Sequence, residues 1–377
     1  MGMVGGGRDA FVGPLHLAAA QATGLIELVA GAFSSTRPKS KESGGDLGLD
    51  SERVYGVYRD MLRSEAKRPA GEHLDFISIV TPTNMHYPVA MAAIDAGFHV
   101  LCETPMTTTV DEAENLARKL KQTQKIFCLT QHHAGYPMVT EARKLVTSGK
   151  LGTLRRIVVE YPQGWLATRI EANGQKQAAW RTNPRNAGNC CCMSDVGVHA
   201  EGLMLAITGL TLKEVCADLT TFVNGRMLED DGSVLMRFKE GARGVLWASQ
   251  IAIGETSGLK IHVYGETGSL VWRQADPNTL CYYTQDGELK TRTCPTSDIP
   301  HPSSSVTLPA GYPNVQIAPL TNLYQRFAQT LIQRIDSGKN PDPKALEFPG
   351  VNDGIRSAQF TAAVIASSTS KDKWIDV

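Results

Sequence analysis

The residues that could do chemistry fall in a few short stretches. Gly5-Gly6-Gly7 follows an apolar pair, and Gly13 stands just ahead of the next periodic stretch. Glycines placed this way allow a tight turn, a close approach of backbone to a pyrophosphate, and a helix N-terminus aimed at the anion. The loop Gly7-Arg8-Asp9-Ala10-Phe11-Val12-Gly13 is about three residues longer than the G-x-G-x-x-G pattern allows. A flexible glycine-rich start is the bland alternative. Val80-Thr81-Pro82-Thr83-Asn84-Met85-His86 and Cys102-Glu103-Thr104-Pro105 each close an apolar run that reads as a strand. Carboxyl ends of adjacent parallel strands are where an open α/β sheet binds its ligand. Gly5, Gly7, Gly13, Thr81, Pro82, His86 and Glu103 are therefore candidate cofactor-binding residues.

Asp195 and His199 place a carboxylate and an imidazole at i and i+4, on one face if the segment is helical. An imidazole titrates near ~6.5 and can exchange a proton at neutral pH, so His199 is the candidate acid/base and Asp195 its partner. The alternative is a helix-start pair that stabilises its own backbone. His132-His133 follows a strand-like run ending at Thr130; His132 could carry a proton, or both could be polar loop residues. Cys190-Cys191-Cys192 with these histidines could form a soft metal site. Successive side chains diverge in strand and helix, however, so packing is the default and no metal is expected. After the second strand, Phe33-Ser34-Ser35-Thr36-Arg37-Pro38-Lys39 has no acid to grip a ribose 2′-hydroxyl. Ser34 with Arg37 and Lys39 could accept a 2′-phosphate, or the stretch could be a solvated basic loop. The expectation is NAD or NADP, with a slight lean to NADP.

The elements that must position these residues are legible in outline. Met3-Val4, Ile26–Phe33, Phe76–Val80, His99–Cys102 and Ile126–Thr130 alternate with amphipathic stretches of helical length, the pattern of βαβ units and a parallel sheet. Gly13-Pro14 opens the first helix and Gly24 follows its last periodic residue. Thr109-Val110-Asp111-Glu112 is a capping box with reciprocal hydroxyl and carboxylate bonds. After a helix near Pro137–Ser148, the runs 155–161, 215–220, 233–238, 243–250, 259–264, 269–272 and 280–283 read as strands separated by glycine-containing turns, more naturally antiparallel. Residues 285–317 read as a long surface loop. Helices over 319–336 and 351–368 close the chain.

With 377 residues and roughly 150 per domain, two domains are expected, residues 1–132 and 133–377. Lys+Arg and Asp+Glu both number 38 with no block of like charge, which argues against a general nucleic-acid binder. No apolar run of about 18 residues marks a membrane span. The first residues lack a basic stretch followed by an apolar one, and the eight Cys show no paired spacing, so reduced thiols and a cytoplasmic location are expected. Apolar runs such as Val234–Phe238 and Gly244–Trp247 would leave an apolar sheet face in water, so a homodimer or homotetramer is expected.

Taken in order, the glycine loop, T-P-x-x-x-H at Thr81, the E-K-P position at Glu103, the W-R pair at Trp180-Arg181, D-x-G-x-H at Asp195 and Gly265-Glu266-Thr267-Gly268 resemble the Gfo/Idh/MocA oxidoreductases over nearly the whole chain. The resemblance implies an α/β N-terminal Rossmann domain for NAD(P), then an α+β domain with a large, mostly antiparallel sheet that often mediates oligomers. It implies that His199 acts as acid/base on a substrate hydroxyl and that Asp195 helps hold substrate. The implied substrate is a sugar, cyclitol or related polyol. Trp165, Trp180 and Arg181, with Tyr161 and Gln163, would suit it, because aromatic faces cover C–H surfaces while polar groups meet hydroxyls. Trp165 and Trp180 could equally be core or interface residues. In one respect the chain departs from the family: the E-K-P lysine, which takes part in proton transfer, is Thr104. Threonine keeps a hydroxyl but no fixed charge. His132 is one candidate to carry that proton; a dinucleotide-binding regulatory or non-redox protein is the alternative.

Overall fold

A computed structural model describes residues 1–69, 71–256, 258–294, 317–342 and 345–377. The chain divides into two compact units: Met1–Thr130 with Leu320–Ile355, and residues 131–294 and 317–319 with Arg356–Val377.

The first unit is built on parallel strands β1 (Gly2–Gly5), β2 (Ala30–Ala32), β3 (Phe76–Val80), β4 (His99–Cys102) and β5 (Phe127–Leu129), in the order β2-β1-β3-β4-β5. Met3, Ile77, Ile79, Val100 and Leu101 are buried in the sheet, as a layer covered on both faces requires. The strand order changes side between β1 and β3, with β2 added on one side of β1 and β3 on the other, and there Gly5 pairs with Val80. That change of side opens a crevice at the carboxyl ends of the two strands. The connecting helices are α1 (Gly13–Ala22), α2 (Arg37–Asp46), α3 (Tyr58–Glu65), α4 (His86–Asp95) and α5 (Val110–Thr123). Pro14 sits in the first turn of α1, and Gly24, at φ 65°, takes the left-handed turn after it.

Three local readings change. The second strand is three residues long rather than spanning 26–33, because β1 offers partners only to Ala30, Gly31 and Ala32. The capping box is displaced. Thr109 Oγ1 accepts from Glu112 N (3.2 Å), but the Glu112 carboxylate reaches Thr108 N (3.0 Å) and Thr108 Oγ1 (2.8 Å). Finally, 320–355 belongs with the first unit, where Phe76 meets the rings of Tyr324 (6.5 Å) and Phe327 (5.1 Å). Local periodicity cannot say which sheet an apolar helix face will cover.

The second unit is a nine-stranded sheet among the described residues. Its strands are β6 (Leu154–Pro162), β7 (Leu212–Thr220), β8 (Asp231–Phe238), β9 (Arg243–Ser249), β10 (Lys260–Gly265), β11 (Gly268–Arg273), β12 (Asp276–Thr284), β13 (Leu289–Thr293) and β14 (Trp374–Asp376). The order is β13-β12-β11-β10-β6-β9-β8-β7-β14, antiparallel except where β6 pairs with β9. Alternation sends Val234, Met236 and Leu246 inward. There they pack with Leu145 of α6 (Pro137–Thr147), Leu203 of α9 (Val198–Thr208) and Phe360 of α11 (Val351–Thr369). Leu235 and Tyr264 face outward, 48% and 42% exposed. Short helices α7 (Lys176–Arg181) and α8 (Pro184–Ala187) lead to a π turn at Met193–Gly197 that runs into α9. Helix α10 spans Ile317–Ser337.

β13 falls inside the stretch read as loop; its residues are all exposed and lack the apolar alternation that marks a half-buried strand. Within that stretch, 295–316 lies outside the described residues, and Ile317 begins α10. No helix among the described residues is long and apolar enough to cross a membrane.

Thr109→Ala removes the side-chain acceptor at the start of α5 and is expected to cost about 0.5–2 kcal/mol of unfolding free energy. Urea unfolding followed by circular dichroism tests it; an unchanged midpoint and slope would show that the cap contributes nothing.

Candidate functional site

In the first unit the glycine loop is shaped by contact. Gly5 and Gly6 hold φ of 85° and 76°, a region side chains rarely adopt. A Cβ on Gly13 would lie 2.4 Å from Gly6 Cα, so the loop is laid directly on the first turn of α1. At Gly7 a Cβ would meet Phe33 O and Ser43 Oγ at 2.7 Å, which ties the loop to the end of β2 and to α2. Ser34 follows, its Oγ accepting from Thr36 N at 3.4 Å, and the Arg37 side chain is 71% exposed.

At the neighbouring strand ends, Thr81 Oγ1 and Thr104 Oγ1 are buried with no hydrogen-bond partner among the described residues. A buried hydroxyl left unmet costs roughly 1–3 kcal/mol, so such groups point to an absent ligand or water. Two orphaned hydroxyls beside a cradle that side chains would fill fit a bound dinucleotide.

His86 and Glu103, expected at the cofactor, are instead engaged by protein. His86 Nδ1 meets Pro105 O (2.7 Å) and Nε2 meets Thr81 O (2.8 Å), so the ring ties together the loops after β3 and β4. Burial pushes the His86 pKa down, although two carbonyl partners favour a ring that donates from both nitrogens. Glu103 Oε1 accepts from His16 Nε2 (2.5 Å) and Thr130 Oγ1 (2.8 Å); Oε2 accepts from Thr104 N (3.0 Å). His16 Nδ1 meets Tyr324 OH at 2.9 Å, and that phenol meets Ser78 Oγ at 2.9 Å. This buried chain fixes the Thr104 peptide. The sequence reading missed His16 and Tyr324; the position of His16 on the buried stripe of α1 was the available signal.

In the second unit, Asp195 lies in the π turn and His199 in the first turn of α9. The π turn replaces the plain helix that the spacing suggested, and such turns recur at functional sites. The His199 ring stacks on His132 (centroids 5.4 Å, 16° between planes) and meets the edge of Tyr161 at 6.1 Å. Burial pushes the Tyr161 phenol up to about 12, so it keeps its proton. His133 is buried and driven well down by desolvation, with the His199, Arg356 and His132 charges adding, so it stays neutral. It fits because Gly202 has no side chain: a Cβ there would lie 2.5 Å from His133 Cε1.

Asp195 is paired with Arg181, whose Nε lies 3.0 and 3.1 Å from the two carboxylate oxygens. The Arg181 guanidinium lies over Trp180 (4.1 Å) and near Trp165 (5.6 Å). The three residues expected at the substrate thus form one cluster with Asp195. Gln250 Nε2 donates to Asp195 Oδ2 at 2.7 Å. Buried Glu229 covers the start of the helical segment, Oε1 accepting from Cys190 Sγ (2.8 Å), Cys191 N (2.9 Å) and Met193 N (3.0 Å). The sequence reading missed Glu229 and Gln250, which sit in the loop ahead of β8 and just after β9. No group of three His, Cys, Asp or Glu among the described residues is placed to hold a metal.

Comparison with known proteins agrees with both units. Residues 1–131 match the oxidoreductase family with NAD-binding Rossmann fold, and residues 139–271 match the GFO/IDH/MocA C-terminal domain. The chain is 31% identical to the uncharacterized oxidoreductase YfiI of Bacillus subtilis over 99% of this chain and 95% of that protein. Among solved structures, an inositol dehydrogenase homolog from Azotobacter vinelandii complexed with NAD+ is similar at 31% identity and TM-score 0.88, covering 100% of this chain and 96% of that one. An inositol dehydrogenase homolog from Azotobacter vinelandii complexed with NADH and myo-inositol gives 29% identity and TM-score 0.86, covering 100% of this chain and 97% of that one.

Burial raises the Glu229 carboxyl above its usual range, outweighing the donors that would lower it. An acid with a raised folded pKa contributes stability that is full below its unfolded value, near ~4.3, and lost as pH rises through the folded value. Glu229→Gln keeps an acceptor without the charge, so it is expected to match the parent near pH 4 and to be more stable at pH 8. Glu229→Ala strands three donors and is expected to be less stable at both. Denaturant unfolding at the two pH values checks this; a Glu229→Gln protein weaker than the parent at pH 8 refutes it.

Proposed function

Because the chain belongs to the GFO/IDH/MocA family of oxidoreductases, we propose that it is an NAD(P)-dependent dehydrogenase or reductase acting on a hydroxyl or keto group of a sugar, cyclitol or related polyol. The observation that carries the reading is the second-unit cluster: an imidazole, His199, stacked on His132 and edged by Tyr161, next on its helix to a charge-paired Asp195. Gly5, Gly7, Gly13, Ser34, Thr81, Pro82 and Thr104 would hold the dinucleotide, which supplies the hydride acceptor or donor when bound. His199 takes the hydroxyl proton at a ring nitrogen as the alcohol is oxidised and returns it in the reverse direction. His132, stacked on His199, would share that proton. Arg181, Trp165 and Trp180 would meet the hydroxyls and C–H faces of the ring.

A regulatory, non-redox role was raised by Thr104. Retention of Asp195 and His199 in a structured cluster supports turnover instead. We assign the outward face of the second sheet, with Leu235 and Tyr264, to contact between copies in a homodimer or homotetramer. The buried free thiols of Cys102, Cys128, Cys190, Cys191 and Cys192 suit the cytoplasm.

A panel of sugars, inositols and glycosides with NAD and NADP, followed through absorbance of the reduced nicotinamide, tests the function. Turnover of at least one member is expected, and His199→Ala should lower kcat/KM by about 10² to 10⁴. Tight dinucleotide binding with no turnover of any member would defeat the dehydrogenase reading. Thr104→Lys is expected to raise turnover with dinucleotide affinity retained; unchanged turnover and unchanged affinity would argue against Thr104 lining the cofactor.

A further inference from the structure

We propose that Gln250 is a positioning residue for Asp195, and that the Cys191 thiol serves as a hydrogen-bond donor that sets the orientation of the Gln250 amide. The proposal assigns a use to the cysteine run that the reaction itself leaves unexplained. It rests on the dehydrogenase reading only where turnover is measured.

The geometry is a chain of directed bonds within the second unit. Gln250 is fully buried, its backbone fixed by N donating to Asp230 O (2.9 Å) and O accepting from Leu166 N (2.9 Å). Its amide has two neighbours. Nε2 donates to Asp195 Oδ2 at 2.7 Å, and Oε1 accepts from Cys191 Sγ at 3.4 Å. A reversed amide would set Oε1 against the Asp195 carboxylate and face an NH2 toward a thiol, losing both bonds and adding a repulsion. The carboxylate at one end and the thiol donor at the other therefore select the useful orientation together. The thiol can do so only while it carries its proton, and burial together with the Asp195 and Glu229 charges pushes the Cys191 thiol well up. Cys191 is itself held, through its N–H on Glu229 Oε1.

At the other end, Asp195 turns this orientation into a position for Arg181. Oδ2 receives both Gln250 and Arg181 Nε, while Oδ1 receives Arg181 Nε alone. Arg181 Nη1 is anchored on Gln177 O (3.3 Å) and Oε1 (3.2 Å). With the carboxylate plane fixed from the far side by Gln250, the guanidinium is fixed over Trp180. Without Gln250, Asp195 could rotate about its terminal torsion, where the energy profile is broad, and Arg181 would follow.

The test separates a donor from a space-filler. Gln250→Met has nearly the same shape and no donor. Gln250→Glu has the same shape and places a second carboxylate against Asp195. In a 15N-arginine spectrum of the full chain, with the Arg181 Nε–H signal assigned by Arg181→Lys, Gln250→Met is expected to shift that signal and speed its exchange with water. Gln250→Glu should do so more strongly, and Cys191→Ala in the same direction by less. For any polyol that is turned over, Gln250→Met should lower kcat about tenfold to a hundredfold while the dinucleotide Kd stays unchanged. An unmoved Arg181 signal in both Gln250→Met and Cys191→Ala overturns the proposal. Parent-like kcat in a folded Gln250→Met protein overturns its functional half. The spectrum needs no substrate, so it decides the geometric claim even if the polyol panel is silent.

Discussion

The second unit is organised around a charge that must be held out of bulk water. The side chains of Asp195 and Arg181 are 23% and 12% exposed, so each depends on the other and on further bonds for its charge. Gln250 completes the carboxylate and Trp180 faces the guanidinium. Removing one partner from such a cluster leaves an uncompensated charge, which costs more than the pair contributes by being there. The neighbouring helix start has the same problem in neutral form, since its first N–H groups have no intrahelical partner. Glu229 accepts two of them from across the fold. Asp195 and His199 thus sit on a segment whose two liabilities, a buried charge and bare amides, are met by residues of α7 and of the loops that flank β8 and β9.

In the first unit the governing constraint is steric. Gly6 and Gly13 approach within the space of a single Cβ, so the loop after β1 can only lie flat on the start of α1. That contact leaves backbone donors and the helix terminus together at the sheet's switch point. The adjoining strand ends are braced from beneath by Ser78, Tyr324, His16 and Glu103. Replacement of the residue 104 side chain leaves this brace intact, because Glu103 supports the peptide of Thr104 and not its side chain. Binding and hydride chemistry can therefore respond differently to that replacement.

Local signals carried the sequence reading a long way, for identifiable reasons. βαβ alternation, Pro14, Gly24 and Thr109 speak through backbone geometry and neighbours within a few residues, so they survive translation into structure almost unchanged. Asp195 and His199 were legible because one turn of helix is short enough to be counted. β13 was not legible, because an exposed edge strand has no buried face to impose alternation. The shortened β2 was not either, since strand length is set by a partner's length.

What the sequence determined by itself was the order of elements, the glycine cradle, the Asp195–His199 spacing and the threonine at residue 104, all of which depend on residue type at fixed short spacing. What tertiary structure alone decided was which polar groups satisfy one another. His16 and Tyr324 are 308 residues apart, and Asp195 and Gln250 are 55 apart, yet each pair shares a hydrogen bond. Burial makes such partners obligatory, because an unmet polar group in the interior is costly. It does not specify where in the chain the partner comes from; strand order and helix packing do that. For the same reason Glu103 and His86 changed meaning: their types suited a ligand, and the folded chain had already used their polar atoms.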